Sequence, residues 1–249
     1  MNTANIDKSL ILPIGEAAKM LDISISTLRR LDERGTIGSV RNTKNGKRFF
    51  FKTDLLNLKY DDYRLAKEWV RVDRKPDIKK FKEFYYPDES RLNGKVLIEA
   101  RQQLEGITSE EYIGVIISAT MEFVGNVFYH NQGQWPDVEG SFYALDRANR
   151  RIIVADRGVG LLKNLKLVRK DLSTHVEALR VGFTEQLSSR GVDGHRGYGL
   201  KHVKNCIGVL KRLIYQTGNA RLEIRSGDAK LYINEVSNPI QGCMAIIEF

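Results

Sequence analysis

Three short motifs in the C-terminal half decide the fold of this chain: Glu122-Phe123-Val124-Gly125-Asn126, then Asp156-Arg157-Gly158-Val159-Gly160, then Gly194-His195-Arg196-Gly197-Tyr198-Gly199-Leu200. The first lies in a largely apolar segment, Glu110 to His130, with helical spacing. Its Glu122 and Asn126 are four residues apart, so their side chains face the same way on a helix. The second motif follows a strand-like apolar run, and the third opens a helical segment. Each motif alone is common, so the prediction depends on all three together.

The chemistry of the first two motifs suits a nucleotide. A carboxylate such as Asp156 can accept a hydrogen bond from the exocyclic amine of adenine, and Gly158 and Gly160 let the backbone approach the base closely. The amide oxygen of Asn126 suits Mg²⁺, a hard cation that prefers oxygen ligands. One turn away, the Glu122 carboxylate can orient or deprotonate an attacking water. We therefore expect ATP and Mg²⁺ as cofactors.

The third motif suits the phosphates of that nucleotide. Its glycines let the backbone pass close to phosphates, and a helix N-terminus favours anions. It lacks the Gly-Lys-Ser/Thr of a Walker loop, and no strand leads directly into it as in a dinucleotide fingerprint. His130, one turn beyond Asn126, lies on the same helix face and can support a phosphate or Glu122. The residues expected at the phosphates are Arg196, Gly197, Gly199, Leu200 and Lys201.

In this order the three motifs resemble those of the GHKL ATPase superfamily, over roughly residues 95–249. The residue pattern of the first motif is most similar to that of the anti-sigma-factor kinases. The resemblance implies the Bergerat fold, a two-layer α/β sandwich with a mixed sheet. It also implies that Glu122 is the general base, Asn126 the Mg²⁺ ligand and Asp156 the residue that binds adenine. One departure is Gly242-Cys243, where relatives usually have Gly-Thr and the Thr helps to hold adenine.

Three activities remain open for this domain. None of the four histidines precedes the Glu122–Asn126 motif, so the autophosphorylation of a histidine kinase is not expected. ATP hydrolysis is the leading hypothesis, so we expect the chain to be an ATPase. The alternatives are phosphoryl transfer to a Ser or Thr of a partner protein, as in the anti-sigma kinases, and nucleotide sensing without hydrolysis.

The N-terminal segment has the pattern of a winged helix-turn-helix. Helical spacing covers Pro13 to Leu21, and a second helix begins after Ser24 or Ser26 and ends before Gly35. A hairpin is then predicted over Val40 to Lys52, with Asn45-Gly46 as its turn. Thr53-Asp54 can cap a short third helix. Residues 1–12 are expected to be a tail.

Over residues 12–58 this pattern resembles the MerR/excisionase group, which implies double-stranded DNA as a partner. The second helix would present Arg29 and Arg30 to the duplex, and the wing would present Arg41, Lys44, Lys47 and Arg48 to phosphates. The alternative is a charged, solvated hairpin or a surface for protein contacts. A homodimer is expected, because one recognition helix covers one half-site.

Composition is compatible with this organisation. The chain has 249 residues, 42% of them hydrophobic, and a formal charge of +9. It has two cysteines, no apparent secretory signal and no apolar run approaching the roughly 20 residues that span a bilayer, so a cytoplasmic location without a membrane is expected. We predict an α+β chain with a DNA-binding domain (1–60), a charged connector without a core of its own (61–95) and the ATP-binding domain (96–249).

The domain order suggests a regulator whose nucleotide state alters DNA engagement. We expect ATP to order a lid around residues 161–196 and to change self-association. Three strands are predicted near the C-terminus, at 221–225, 230–236 and 243–249. A protein partner is left open.

Overall fold

Two sheets organise the chain in a computed structural model that describes residues 6–43, 46–185, 199–208, 210–228 and 230–249. A two-stranded sheet lies in the N-terminal domain, and a five-stranded sheet lies in the larger C-terminal part. Helices cover both faces of the larger sheet. The α+β class predicted from the sequence is confirmed.

The helix-turn-helix consists of α1 (Ile14–Leu21) and α2 (Ile25–Glu33). The hydroxyl oxygen of Ser24 accepts a hydrogen bond from the backbone N–H of Thr27 at 3.1 Å, which caps α2. Gly35 follows with φ +73°, the left-handed conformation that ends many helices. Ala17, Leu28, Phe50 and Leu55 form the core beneath the two helices. This part of the sequence prediction is confirmed.

The wing differs from the predicted hairpin. Strand β2 (Phe49–Phe51) pairs antiparallel with β1 (Ile11–Pro13), which follows a turn of 3₁₀ helix at Lys8–Leu10. Val40 makes a single bridge to Phe49, and Asn45 lies outside the described residues. The prediction of a tail is therefore wrong for residues 11 and 12, and Pro13, predicted to begin the first helix, belongs to β1. These residues pair because the apolar strand β2, with Phe50 and Phe51 fully buried, needs a partner.

The larger sheet has the order β3-β4-β5-β7-β6. Its strands are β3 (Tyr85–Tyr86), β4 (Ser141–Asp146), β5 (Arg151–Asp156), β6 (Arg212–Arg225) and β7 (Tyr232–Glu248). Every described pair of neighbours is antiparallel, so the prediction of a mixed sheet is wrong. Strands β5 and β6 do run in the same direction. They form no parallel pair because β7 lies between them and pairs antiparallel with both.

The C-terminal region forms two long strands where three short ones were predicted. The second and third predicted strands both belong to β7, and the first is the end of β6. The register between β6 and β7 shifts around Thr217, Gly218 and Ala220, where Gly218 has φ +51°. Such an irregularity bends the pair without ending it.

One face of the sheet packs on α8 (Glu110–Asn131), α10 (His175–Thr184) and α11 (Gly199–Ile207). Helix α9 (Gly160–Leu165) follows β5 directly, and a helical segment precedes α8. That segment comprises α6 (Glu89–Gly94), a π-helical stretch (Lys95–Ala100) and α7 (Arg101–Leu104). Among the described residues α8 is the one helix that is long and apolar enough to cross a membrane. Its Ile116, Phe123 and Val124 are buried against the core, which accounts for that composition.

The other face of the larger sheet packs on helices from residues 61–95, the segment that was predicted to be a charged connector. After α3 (Lys52–Lys59) come α4 (Asp62–Trp69) and α5 (Ile78–Phe81). Trp69 and Phe81 are fully buried against Phe142 of β4. Because all six residues of β4 are buried, both faces of the sheet need a cover. The molecule therefore has three layers at this sheet, and the predicted two-layer arrangement is wrong.

Polar contacts join the N-terminal domain to the sheet. Arg147, in the turn between β4 and β5, pairs with Asp54 of α3 and lies 4.1 Å from the centre of the Phe51 ring. The amide of Asn57 donates to the carbonyl oxygen of Leu145 at 2.7 Å. Asp54 therefore contacts the sheet and does not cap α3, which begins at Lys52 without a side-chain cap.

Candidate nucleotide site and DNA-binding surface

Asn131, at the end of α8, fastens this helix to the loop after β5. Its side chain is buried, and its oxygen accepts the backbone N–H of Val159 at 2.9 Å. Its amide donates to the carbonyl oxygen of Val127 at 2.8 Å and, more weakly, to Oδ1 of Asp156 at 3.4 Å. The sequence analysis missed this residue. The only signal for it was a polar side chain that ends a long apolar helix.

Asp156 lies at the end of β5 with 4% of its surface exposed. Its Oδ1 accepts the backbone N–H of Gly158 at 2.7 Å. Burial raises the pKa of this carboxyl group to about 7, although hydrogen bonds from Gly158, Asn131 and the backbone of Cys243 act in the opposite direction. The site thus holds a buried acceptor whose environment disfavours its charge.

Two glycines allow the loop after β5 and the middle of β7 to touch. A Cβ atom on Gly158 would lie 2.0 Å from Oδ1 of Asn131. Gly242 has φ +73°, and a Cβ atom there would lie 2.3 Å from the carbonyl oxygen of Asp156. Only glycine fits such contacts. The amide of Gln241 also donates to the carbonyl oxygen of Gly158 at 2.7 Å, so β7 holds this loop from the opposite side.

Thr217 of β6 supplies a hydroxyl group beside the same loop. It is fully buried, donates to the carbonyl oxygen of Gly242 at 3.2 Å and accepts the N–H of Leu161 at 3.1 Å. The sulfur of Cys243 lies 3.6 Å from the hydroxyl oxygen of Thr217. Burial raises the pKa of the Cys243 thiol to about 12, so the thiol stays protonated. Thr217 thus supplies a hydroxyl group beside Cys243 from the neighbouring strand, a contact that was not predicted from the sequence.

The first and third motifs also meet. A Cβ atom on Gly199, the first residue of α11, would lie 2.7 Å from Oε2 of Glu122 and 3.9 Å from the amide nitrogen of Asn126. Leu200 packs near Gly182 of α10, as does Leu161 of α9. Glu122 and Asn126 are both partly exposed, as are His130 and Lys201. Helices α8, α9, α10 and α11 therefore converge around this part of the structure.

Some predicted residues lie outside the described part of the chain. Arg196 and Gly197 are among them, and the predicted lid is described only as far as residue 185. Within the described ranges, no group of three or more His, Cys, Asp or Glu is placed to hold a metal ion. A magnesium ion at Asn126 would therefore take most of its oxygen ligands from phosphates and water, which is how this cation is commonly bound.

Arg157, within the second motif, is buried and not solvated. Its side chain is 2% exposed and pairs with the carboxylate of Asp137 at 2.6 Å. It also donates to the carbonyl oxygens of Trp69, Arg71 and Arg74. The loop after β5 is thereby tied to the segment that follows α4. The burial of Arg157 was not predictable from the local sequence, since Arg between Asp and Gly is usually exposed.

The predicted DNA-binding residues divide into two groups. Arg29 and Arg30 are exposed on α2, and Lys47 is exposed in the wing, while Lys44 lies outside the described residues. Arg48 pairs with Asp32 at 2.9 Å and with Glu33 at 3.3 Å, and Arg41 lies 3.7 Å from Asp32.

Asp32 organises the wing. In addition to its arginine pairs, it accepts hydrogen bonds from the backbone N–H and the hydroxyl of Ser39 at 2.9 and 2.8 Å. Because Asp32 is on α2, these contacts fix the wing arginines against the recognition helix. The sequence analysis did not identify this role, since no acid stands within the wing itself.

Comparison with known proteins identifies the N-terminal domain. Residues 13–50 match the family model described as MerR family regulatory protein. The match covers α1, α2 and the wing as far as Phe50, and it supports an N-terminal DNA-binding domain of MerR type. No curated protein matches the chain.

Proposed function

We propose that this protein is a DNA-binding regulator whose C-terminal domain binds ATP and whose nucleotide state alters its engagement with DNA. The MerR-type domain supports the DNA-binding part. One observation carries the ATP part: helix α8, which contains the first motif, contacts the second motif through Asn131 and lies beside the start of the third motif at Gly199. Asn131 joins α8 to the Asp156–Gly160 loop, and Gly199 lies against Glu122 and Asn126.

The motif residues have a defined order along α8. From Asn131, beside Asp156, to Glu122, beside Gly199, the helix rises about 14 Å at roughly 1.5 Å per residue. That distance suits an extended nucleotide with its base at Asp156 and its phosphates at the start of α11. We assign the domain on this basis to the GHKL superfamily and its fold to the Bergerat class, with an antiparallel sheet and an added third layer.

Each residue has a proposed task in that arrangement. Asp156 would accept a hydrogen bond from the base, with the backbone at Gly158 and Gly160 close to it. Bound Mg-ATP supplies the phosphoryl group that can be transferred. Asn126 would contribute an oxygen to the metal ion, and Glu122 would orient a water and take its proton. The phosphates would be contacted by His130, Arg196, Gly197, Gly199, Leu200 and Lys201.

Calorimetric titration with Mg-ATP and Mg-GTP tests nucleotide binding. Wild-type protein should bind Mg-ATP at least tenfold more tightly than Mg-GTP, because Asp156 distinguishes an amine from a carbonyl group. Asp156→Asn should lose at least tenfold in ATP affinity, whereas the control Asp171→Asn, at an exposed carboxylate paired with Arg169, should not change it. Absent binding, or equal affinity for both nucleotides, would contradict the proposal.

Replacement of Glu122 separates hydrolysis from binding. Glu122→Gln should lower the release of free phosphate by about 10²–10⁴-fold, the usual contribution of a general base, and should change ATP affinity by less than threefold. Label that appears on a co-purified protein, and not as free phosphate, would favour a Ser/Thr kinase. Binding without turnover in the wild type would favour a nucleotide sensor.

The assembly is also part of the proposal. The wing is fixed to α2 by Asp32, so each chain presents one rigid recognition unit. We propose that a homodimer binds two half-sites of duplex DNA. Sedimentation of the complex with duplex should give two chains per site, and one chain per site would contradict it.

A further inference from the structure

A second cavity lies away from the candidate nucleotide site, on the sheet face that α4 covers. It is bounded by α4, by residues 71–74 and by the paired strands β6 and β7, and its volume is about 750 Å³. Cavities that hold small ligands are typically about 300–1,000 Å³. Met244, which lines it, belongs to the core on this face, whereas α8 and α11 pack on the opposite face.

The described lining of this cavity carries more basic than acidic side chains. Its two acids already have partners: Glu68 pairs with Arg74 at 2.9 Å and with Lys80 at 2.5 Å, and Asp73 pairs with Arg71. Arg64 and Arg221 also line the cavity. Neither forms an ion pair with a described residue, although the charge of Arg64 acts on Glu68 and that of Arg221 on Glu223. A positive potential therefore remains for a ligand with negative charge.

The walls of the cavity are fixed by hydrogen bonds. The backbone N–H of Gln241 donates to the carbonyl oxygen of Val70 at 2.7 Å, and Arg157 donates to the carbonyl oxygen of Arg71 at 2.8 Å. On the other side, the amide of Gln216 donates to the carbonyl oxygen of Asn238 at 2.9 Å. The cavity is therefore preformed, as ligand sites usually are.

Apart from these arginines and acids, the lining includes the polar Lys67, Gln216 and Asn238. Its largely apolar side chains are Tyr63, Val72, Val236, Pro239, Ile240 and Met244. A lining that combines an excess of basic side chains with apolar groups suits a ligand with one anionic group and an apolar body. DNA fits it less well, because a duplex presents its phosphates on a convex surface without an apolar body. The concave shape thus favours a small molecule.

We propose that this cavity binds a small organic anion, a carboxylate, sulfonate or phosphate with an aromatic or aliphatic body. Arg64 and Arg221 contact the anionic group, and Tyr63, Ile240 and Met244 contact the body. This proposal does not depend on the proposed ATP site. Arg157 connects the two places, because it belongs to the loop after β5 and donates to the carbonyl oxygen of Arg71 at the cavity.

Fluorescence titration of the full-length protein with 8-anilinonaphthalene-1-sulfonate tests the proposal, since this probe has a sulfonate and an apolar body. Saturable binding of one probe per chain is expected. The double variant R64Q/R221Q should raise the dissociation constant at least tenfold. V236W, which keeps every charge but fills the cavity, should do the same. The control R169Q/R225Q removes a partly exposed and an exposed arginine outside the cavity and should change binding less than twofold.

The neutral analogue N-phenyl-1-naphthylamine provides the second comparison. It has nearly the same apolar body without the sulfonate, so it should bind at least tenfold more weakly. Circular dichroism of each variant establishes that it is folded. The proposal is overturned if R64Q/R221Q or V236W binds the sulfonate like the wild type, or if the neutral analogue binds equally well.

Discussion

Asp156 is a carboxyl group that folding removes from water, with backbone N–H groups and one amide as its hydrogen-bond partners. Desolvation outweighs these donors, so the folded-state pKa rises from the ordinary 3.8 to about 7. In the native state the group keeps its proton over a pH range in which the unfolded chain loses it. The stabilising effect of that proton is present below about pH 4 and is lost as the pH rises towards 7.

The first prediction concerns this pH dependence. Between pH 5 and pH 8 the wild type should lose about 2–3 kcal/mol of unfolding free energy relative to Asp156→Asn, on roughly 1.36 kcal/mol per pKa unit. The variant lacks the titrating group but retains an oxygen that can accept the N–H of Gly158. Urea unfolding of both proteins at the two pH values measures the difference. Parallel pH profiles would show that Asp156 does not titrate in this way.

Which residues the sequence could predict depends on where their partners lie. The shared face of Glu122 and Asn126 follows from a spacing of four on one helix, so it was predictable. Thr217 and Arg157 were not, because their partners, Gly242 and the carbonyls of residues 69–74, come from distant parts of the chain. The residues adjacent in sequence contain no information about hydrogen bonds to such distant partners.

At the scale of elements, α8 and the loop after β5 are joined through one close contact. A Cβ atom on Gly158 would lie 2.0–2.2 Å from the side chain of Asn131. The glycine is therefore required by a neighbour on α8. It follows that the two positions should be coupled energetically.

A double-mutant cycle tests this coupling. Gly158→Ala should cost about 1–3 kcal/mol in the wild type, as overpacking usually does. It should cost less in an Asn131→Ala background, where the obstructing atoms are gone. Urea unfolding of the four proteins gives the interaction energy. A cost that is the same in both backgrounds would rule out this contact as the reason for glycine.

Helix α2 carries the third prediction. Arg29→Ala and Arg30→Ala should each weaken binding to duplex DNA about 5- to 150-fold, a loss of roughly 1–3 kcal/mol. Both should leave stability unchanged because the two side chains are exposed. Arg48→Ala should weaken DNA binding and, in addition, lower the stability of the wing, because it removes the ion pair with Asp32. Fluorescence anisotropy and thermal unfolding measure the two effects. The assignment fails if Arg29 and Arg30 are both dispensable for DNA binding.

Element boundaries were predictable where local signals decide them. Helical spacing with the Ser24 cap and Gly35 marks α1 and α2, and the apolar run followed by Asp156 marks β5. Strand β1 and the junction of two predicted strands into β7 were missed, because both depend on pairing with distant strands. The packing of Trp69 and Phe81 was missed because the surrounding charges resemble a linker.

At the scale of the whole molecule, the N-terminal domain is attached to the sheet by a largely buried ion pair. The side chains of Arg147 and Asp54 are each 14% exposed. Burial raises the pKa of Asp54 to about 6, with the charge of Arg147 opposing the rise. Removal of the arginine would leave a carboxylate without its partner in this interface.

Arg147→Gln should therefore loosen the attachment of the DNA-binding domain. Amide hydrogen exchange in α3 should become at least tenfold faster, while exchange in the centre of α8 stays unchanged. The control R225Q, at an exposed arginine on β6, should alter neither region. Unchanged protection of α3 in Arg147→Gln would mean that other contacts, such as Asn57 with Leu145, hold the domains together.

Coupling between the two domains is tested by the affinity of the 249-residue chain for duplex DNA with and without Mg-ATP. The duplex is selected from a random-sequence pool, labelled, and titrated at constant salt concentration, since phosphate contacts make affinity salt-dependent. If the domains are coupled, the dissociation constant should differ at least fivefold between the two conditions, and Asp156→Asn should abolish the difference. Equal affinity in both conditions, with ATP binding established separately, would contradict the coupling of the two domains.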